Sequence, residues 1–224
     1  MESETKEGNL SGKEMEQSKK SNKVILITVV IVAAIIIGVL TYTFFIDGGI
    51  FGGNQEWYFK GAYATYEGST NILFTSVDFS MRLEIVDFNS THLKTLYDVE
   101  LDAGILGKLL NEQNTTWILK EQINEIGFED LDSFILIDTY EDQVYLESIG
   151  TKDCTVYVYS STDNEMAMTI KLYVDNQVNW PIKFSVNINP ENIDFDLDIP
   201  GLDLPNTDIL FEVELTDTNI PDLT

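Results

Sequence analysis

Apolar and polar residues alternate with a period of two along much of the chain, which is typical of strands with one buried and one solvated face. Residues 79–85 place Phe79, Met81, Leu83 and Ile85 on one side. Residues 92–102 repeat the pattern after the turn-like segment "DFNST". We therefore predict a hairpin over residues 79–102, with Asn89 at its tip.

Three more alternating runs follow at residues 154–159, 166–174 and 180–188, with polar loops between them. This spacing predicts a meander of consecutive strands. Pro181 lies inside the last run, which indicates an edge position or the start of a strand. Residues 193–199 and 209–215 alternate equally well and predict two further strands.

Helical patterns are sparse by comparison. Residues 103–113 place Ile105, Leu106, Leu109 and Leu110 on one side at helical spacing, and residues 121–127 could add a turn. We expect a mainly antiparallel β (α+β) domain with one or two short helices, and a half-open barrel is one form of it.

The N-terminal part has a different pattern, with 23 consecutive uncharged residues from Val24 to Ile46. A helix of that length covers roughly 35 Å, enough to cross a hydrocarbon core of about 30 Å. A cleavable signal would have a shorter core and a small-residue cleavage site. The segment therefore predicts an uncleaved transmembrane helix that acts as a signal anchor.

Two alternatives remain for this segment, a buried core helix and a type IV pilin leader. Ser21 and Asn22 separate the lysines from the apolar run, with no glycine at the junction, which departs from the pilin pattern. Ala34 and Gly38 form a small-xxx-small pair that could bring two such helices close together. We expect no more than a weak homo-oligomer from it.

Charge sets the topology and the domain boundaries. Lysines precede the apolar run and acids follow it, so we expect the N-terminus in the cytoplasm and residues 47–224 outside the cell membrane in a single-pass protein. The predicted parts are a disordered tail (1–23), the transmembrane helix (24–46), a glycine-rich linker (47–56) and an acidic external domain (57–224).

The net charge is −25, and all of the excess negative charge lies beyond the apolar run. Such a domain is repelled by nucleic acid and anionic headgroups, so we expect no nucleic-acid partner. The single cysteine, Cys154, cannot form an intrachain disulfide and reads as a small buried residue. Asn89 and Asn114 each begin a glycosylation acceptor tripeptide.

Candidate chemistry is scarce. The sequence has one histidine, His92, and lacks the common nucleophile, zinc, phosphate-loop and dinucleotide motifs. Asp194, Asp196 and Asp198 alternate near Asp203 and Asp208, which fits either a Ca²⁺ site or a solvated strand face, without the glycine and closing glutamate of an EF-hand. We expect no enzyme activity, no catalytic residue, no cofactor and no resident metal.

Residues 146–188 resemble the late strands of the LolA/LppX class of lipoprotein carriers. The shared features are Gly150, the turn Tyr173-Val174-Asp175, and Pro181-Ile182-Lys183. The segment also resembles archaeal membrane-anchored proteins that have the same ending. Carriers of this class hold acyl chains on the concave apolar face of a half-closed sheet, under a helical lid. They are soluble or lipid-anchored, which differs from the predicted anchor here.

The resemblance implies a cavity for a lipid or another hydrophobic group, lined by the apolar sides of the predicted strands. The expected lining residues are Met81, Leu83, Ile85, Val156, Val158, Met168, Ile170, Leu172, Ile182 and Phe184. The leading hypothesis is thus a membrane-anchored extracytoplasmic binding domain, and the alternative is a structural or surface-assembly protein that pairs through an exposed strand edge or its helix. A hydrolase that uses carboxylates alone is a third. A dry cavity of several hundred Å³ would favour the first, and a solid core with an outer apolar patch the second.

Overall fold

The structure is a computed structural model that describes residues 58–72, 75–104, 107–120, 134–161, 168–189 and 208–223. In these residues the chain forms nine strands in one antiparallel sheet. The strands are β1 (Tyr63–Ile72), β2 (Thr75–Phe88), β3 (His92–Asp102), β4 (Lys108–Leu119), β5 (Phe134–Leu146), β6 (Gly150–Ser161), β7 (Met168–Asp175), β8 (Pro181–Ile188) and β9 (Ile209–Thr218).

The strand order across the sheet is β4-β3-β2-β1-β9-β8-β7-β6-β5, so the first and last strands of the chain meet at its centre. Two meanders, β1 to β4 and β5 to β9, are joined where β1 pairs with β9. The predicted hairpin of residues 79–102 is confirmed as β2 and β3, with Asn89 at its tip. The predicted meander of three strands is confirmed as β6, β7 and β8, with Pro181 at the start of β8.

The sheet is bent as well as twisted. Register shifts interrupt five of the eight strand pairs, and such irregularities bend a strand locally. Cα atoms of β5 come within 8 Å of Cα atoms of β9, although three strands lie between them in the sheet. The half of the sheet that contains β5 to β9 is therefore strongly curved.

The predicted fold class is wrong in its helices. The expected helix over residues 103–113 falls mostly in β4, because Leu109 and Leu110 continue a strand that pairs with β3 over its full length. The described residues form an open antiparallel sheet, and none of their helices is long and apolar enough to cross a bilayer. In the described residues, an all-β sheet thus takes the place of the predicted α+β domain with its short helices.

Several predicted features lie outside the described residues. These are the tail (1–23), the apolar segment (24–46), the linker (47–56), the second short helix (121–127) and the strand over residues 193–199. Strands β1 and β5 were not predicted. β1 contains Gly68 and two alanine or serine positions that weaken the apolar alternation, and β5 begins with four apolar residues in a row.

Candidate functional site

One face of the sheet is apolar across six neighbouring strands, and we call it the apolar face. Cross-strand register places Met81 beside Tyr66, Tyr66 beside Leu215, and Val213 beside Phe184. In the described parts of β3, β2, β1, β9, β8 and β7, no charged side chain shares this face. Polar residues such as Glu112 on β4 and Thr155 on β6 interrupt it on both sides, although buried Ile118 and Tyr159 continue it locally.

Eight of the ten predicted lining residues share the apolar face. They are Met81, Leu83, Ile85, Met168, Ile170, Leu172, Ile182 and Phe184, and all are buried. The other two, Val156 and Val158, lie opposite Tyr173 and Lys171, so they project from the other face. Alternation within β6 shows which residues share a side, but it does not show which side of the sheet that is.

On the apolar face, the described residues line a space far smaller than the expected cavity of several hundred Å³. A pocket at the end of β1 to β4 has a free volume of about 10 Å³, roughly the space of one water molecule. Its wall includes Leu83 and Ile85, with the small side chains of Ala62 and Ala64, and Trp180 and Ile220 also line it. The core is therefore solid at this point.

Trp180 forms the main polar contact of the apolar face. Its indole Nε1–H donates a 2.6 Å hydrogen bond to the Tyr66 hydroxyl, which in turn donates a 2.9 Å bond to the carbonyl of Pro181. Both rings are buried. Burial raises the pKa of Tyr66 well above its ordinary value, despite the opposing effect of the bond from Trp180, so the hydroxyl stays neutral.

The turn between β7 and β8 fixes the position of Trp180. The buried carboxylate of Asp175 accepts hydrogen bonds from the backbone N–H groups of Gln177 and Val178, at 2.9 and 2.8 Å. The Asp175 N–H donates to the carbonyl of Trp180 at 2.8 Å. Asn179 has a left-handed φ of 57°, which asparagine tolerates better than most residues. The turn therefore closes directly before Trp180.

Ile220 is held over the pocket by side chains that bond the start of β1. The Thr218 hydroxyl donates to the carbonyl of Tyr63 at 2.7 Å and accepts from the N–H of Ile220 at 3.1 Å. Asn219 donates to the carbonyl of Gly61 at 2.9 Å and accepts from the Tyr63 N–H at 2.8 Å. Sequence patterns alone missed Tyr66 and Ile220; alternation placed Trp180 on the apolar side of the run 180–188, but not its bond to Tyr66.

The opposite face carries most of the charge, and we call it the polar face. Lys183 lies 3.0 Å from Glu212 and 2.7 Å from Glu214, with its ammonium 5.9 Å from the ring centre of Tyr173. Burial acts to lower the pKa of Lys183, but the bonds to Glu214 and Glu212 outweigh it and raise the pKa. This cluster joins β7, β8 and β9 across the centre of the sheet.

An open groove of about 430 Å³ lies on the polar face. Its wall contains Glu67, Asp78, Glu100 and Asp102, together with serine and glycine. No group of three or more metal-ligating side chains occurs in the described ranges. Of the predicted Ca²⁺ ligands only Asp208 is described, and it accepts a 3.2 Å hydrogen bond from Asn187. Four carboxylates make the groove unsuitable for an acyl chain.

The other predicted residues do not line the pocket. Cys154 is buried, and burial followed by the nearby Asp142 and Asp175 raises the pKa of its thiol to about 11. His92 Nδ1 lies 2.8 Å from the Thr91 hydroxyl at the hairpin tip. Asn89 is exposed at that tip, and Asn114 is exposed on the edge strand β4.

No family model matches the chain, and no curated protein matches it. Two solved structures do. One is described as an outer membrane lipoprotein-sorting protein domain from Vibrio parahaemolyticus, with 12% identity and a TM-score of 0.25, covering 75% of this chain and 87% of that one. The other is a DUF1329 family protein from Desulfovibrio piger ATCC 29098, with 9% identity and a TM-score of 0.19, covering 73% and 86%.

The first of these structures agrees with the resemblance to lipoprotein carriers seen in residues 146–188. TM-scores this far below 0.5 say nothing about a ligand or partner of the present chain.

Proposed function

We propose that this chain is a non-catalytic binding protein that receives an apolar group, such as an acyl chain, on the apolar face of its curved sheet. The observation that carries the proposal is the absence of charge on that face across six strands in the described ranges, combined with a few polar contacts such as that between Trp180 and Tyr66. Sites for apolar ligands have this composition, a mainly hydrophobic wall with few polar groups.

The small free volume determines how such a group would enter. With about 10 Å³ available beside Ala62 and Ala64, an acyl chain has to displace a side chain that fills the pocket. Ile220 is the best candidate, because it follows β9 outside the strand pairs, in a segment held by Thr218, Asn219 and the bond from Lys152 to the carbonyl of Asp222. Trp180, by contrast, is fixed by the turn of Asp175.

The proposed location is the outer side of a cell membrane, with attachment through residues 24–46. It is supported by the uncharged run itself and by the lysines that precede it. An apolar-binding domain attached to a bilayer would take its ligand from that bilayer or pass it on. The acidic remainder of the chain would keep the domain away from anionic headgroups.

Tryptophan quenching tests the proposal on the full chain in detergent micelles. A variant with Trp57→Phe and Trp117→Phe keeps only Trp180, and a matched variant with Trp57→Phe and Trp180→Phe keeps only Trp117, which is exposed on β4. A brominated fatty acid on the apolar face quenches Trp180 more strongly than Trp117. Partitioning of the fatty acid into the micelles affects both variants, so equal quenching of Trp180 and Trp117 would contradict the proposal.

A second variant tests the entry route. Ile220→Ala enlarges the pocket and should increase quenching of Trp180 at a given fatty acid concentration. Leu210→Ala is a matched control, because Leu210 is half exposed on the polar side of β9 and does not line the pocket. An unchanged response to Ile220→Ala would exclude this pocket as the binding position.

A further inference from the structure

Both outer strands of the sheet have one edge without a strand partner among the described residues, since β4 pairs only with β3 and β5 only with β6. Eight successive antiparallel pairings separate β4 from β5, so the two edge strands run in the same direction. Exposed strand edges pair readily with other strands unless charge, proline or a covering segment prevents it.

The β5 edge begins with an exposed apolar run. Ile135, Leu136 and Ile137 are 53%, 44% and 55% exposed, and a register shift between Leu136 and Asp138 leaves Ile137 as an extra residue. No lysine, arginine or proline occurs in this strand. The other end of β5 is apolar again, and it includes the exposed ring of Tyr145.

The β4 edge has the same arrangement. Leu109 and Leu110 lie near its start, and Trp117, which is 48% exposed, lies near its end. The six residues between them, 111–116, are polar, and Glu112 is the only charged one. β4 has 12 residues and β5 has 13, and apart from Lys108 at the start of β4 each strand has apolar residues near both ends and polar residues in the middle.

We propose that copies of this chain join head to tail, with the β4 edge of one copy paired in parallel with the β5 edge of the next. Because the two edges run in the same direction, a simple sideways shift of one copy brings them together. The apolar ends of β4 then lie beside the apolar ends of β5, and the polar centres face each other. The sheet continues from copy to copy with every apolar face on the same side.

Closure of β4 onto β5 within one copy would match the same apolar ends and polar centres. The curvature disfavours it, because β5 bends toward β9 at the centre of the sheet. Antiparallel pairing of two β5 edges about a two-fold axis is disfavoured too. Full-length pairing of that kind centres on Tyr140 and places Asp138 opposite Asp142, and like charges directly opposite are destabilising.

Head-to-tail pairing uses two different surfaces, so it continues into rows or filaments unless the rotation closes a ring. The net charge of −25 opposes it through repulsion between copies. Salt screens that repulsion, with a Debye length of about 30 Å at 0.01 M and about 3 Å at 1 M. The association constant between copies should therefore increase as the salt concentration is raised, by at least about tenfold over this range.

Disulfide cross-linking of the full chain in micelles tests the pairing. In a Cys154→Ala background, Thr115→Cys on β4 and Asp142→Cys on β5 introduce thiols at exposed positions on the polar face of each edge strand. Oxidation of the double variant should give a ladder of dimers, trimers and larger species. Each single-cysteine variant should remain monomeric.

Other results overturn the proposal in distinguishable ways. A monomer with an internal disulfide would show closure within one copy, and a dimer of a Tyr140→Cys single variant in the Cys154→Ala background would show antiparallel pairing of two β5 edges, because Tyr140 of one copy then lies opposite Tyr140 of the other. Sedimentation provides the second measurement. Ile135→Lys with Ile137→Lys should abolish association, whereas Leu210→Lys, at an equally exposed position of the central strand β9, should not. Absence of both cross-links and salt-dependent association would reject edge pairing. Neither result depends on fatty acid binding.

Discussion

Trp180 donates a 2.6 Å hydrogen bond from its indole nitrogen to the hydroxyl of Tyr66, a residue 114 positions earlier in the chain. The bond connects the turn before β8 to the central strand β1 through the apolar core. Tyr66 passes the interaction on to the carbonyl of Pro181. This chain of two bonds connects residues of both meanders at a point where the surroundings are apolar.

Removal of the Tyr66 hydroxyl should therefore be costly. Tyr66→Phe keeps the ring but takes away both bonds, and we expect a loss of about 1–3 kcal/mol in the free energy of unfolding. Chemical denaturation measures it. A double-mutant cycle with Trp180→Phe should show coupling of about 0.5–3 kcal/mol, and additive effects would mean that the two residues stabilise the fold independently.

Asp175 should be needed as a hydrogen-bond acceptor and not as a charge. Asp175→Ala removes the acceptor of two backbone N–H groups in the turn before Trp180, and we expect a loss of about 1–3 kcal/mol. Asp175→Asn keeps one side-chain oxygen in the same place and should lose less than half of that amount. Equal losses in the two variants would indicate that the negative charge itself stabilises the turn.

Gly68 should not tolerate even one added carbon atom. A Cβ at this position would lie 2.1 Å from the carbonyl oxygen of Glu212 on β9, so the backbone of one strand has to move. We expect Gly68→Ala to cost about 1–3 kcal/mol, the usual range for overpacking. The neighbouring exposed Ser69→Ala is the control and should change stability by less than about 0.5 kcal/mol.

The thiol of Cys154 should be unreactive in the folded protein. Its pKa is raised from 9.0 to about 11, mainly by burial, so at pH 8 it has about 100-fold less thiolate than an ordinary thiol. Labelling with iodoacetamide, measured by mass spectrometry, should be slow in the native state and fast in denaturant. Rapid native labelling would mean that the strand pair β5 and β6 opens readily.

The raised pKa of Cys154 also makes the stability of the folded protein depend on pH. The folded state holds the Cys154 proton more tightly than the unfolded state, so its contribution is complete below pH 9 and is lost as the pH rises through about 11. Compared with Cys154→Ala, the parent protein should lose stability more steeply between these two pH values. Parallel curves for the two proteins would contradict the assignment.

Alternation in the sequence predicted most of the strands, because each residue's side on a strand depends only on its position along that strand. β2, β3, β6, β7, β8 and β9 were found in this way. The helix expected over residues 103–113 was wrong, since Leu109 and Leu110 lie at a register shift of β4 that hides the strand alternation. Pairing with β3 decided in favour of the strand.

The candidate site depended more on tertiary structure. Alternation grouped Val156 with Val158 and Ile170 with Leu172, but only the register between β6 and β7 showed that the two pairs project from opposite faces. The contacts of Tyr66 with Trp180, and of Ile220 with the start of β1, join residues far apart in the chain. Local patterns contain no information about such pairings.

The sequence by itself determined the acidic charge, the single buried cysteine, the strand-rich second half and the apolar sides of most strands, because these follow from residue identity and from the two-residue period of a strand. Only the tertiary structure decided the strand order, the continuity of the apolar face from β3 to β7 and the exposure of both edges. Those features depend on which distant strands pair and in what register, and that choice is made by packing over the whole sheet.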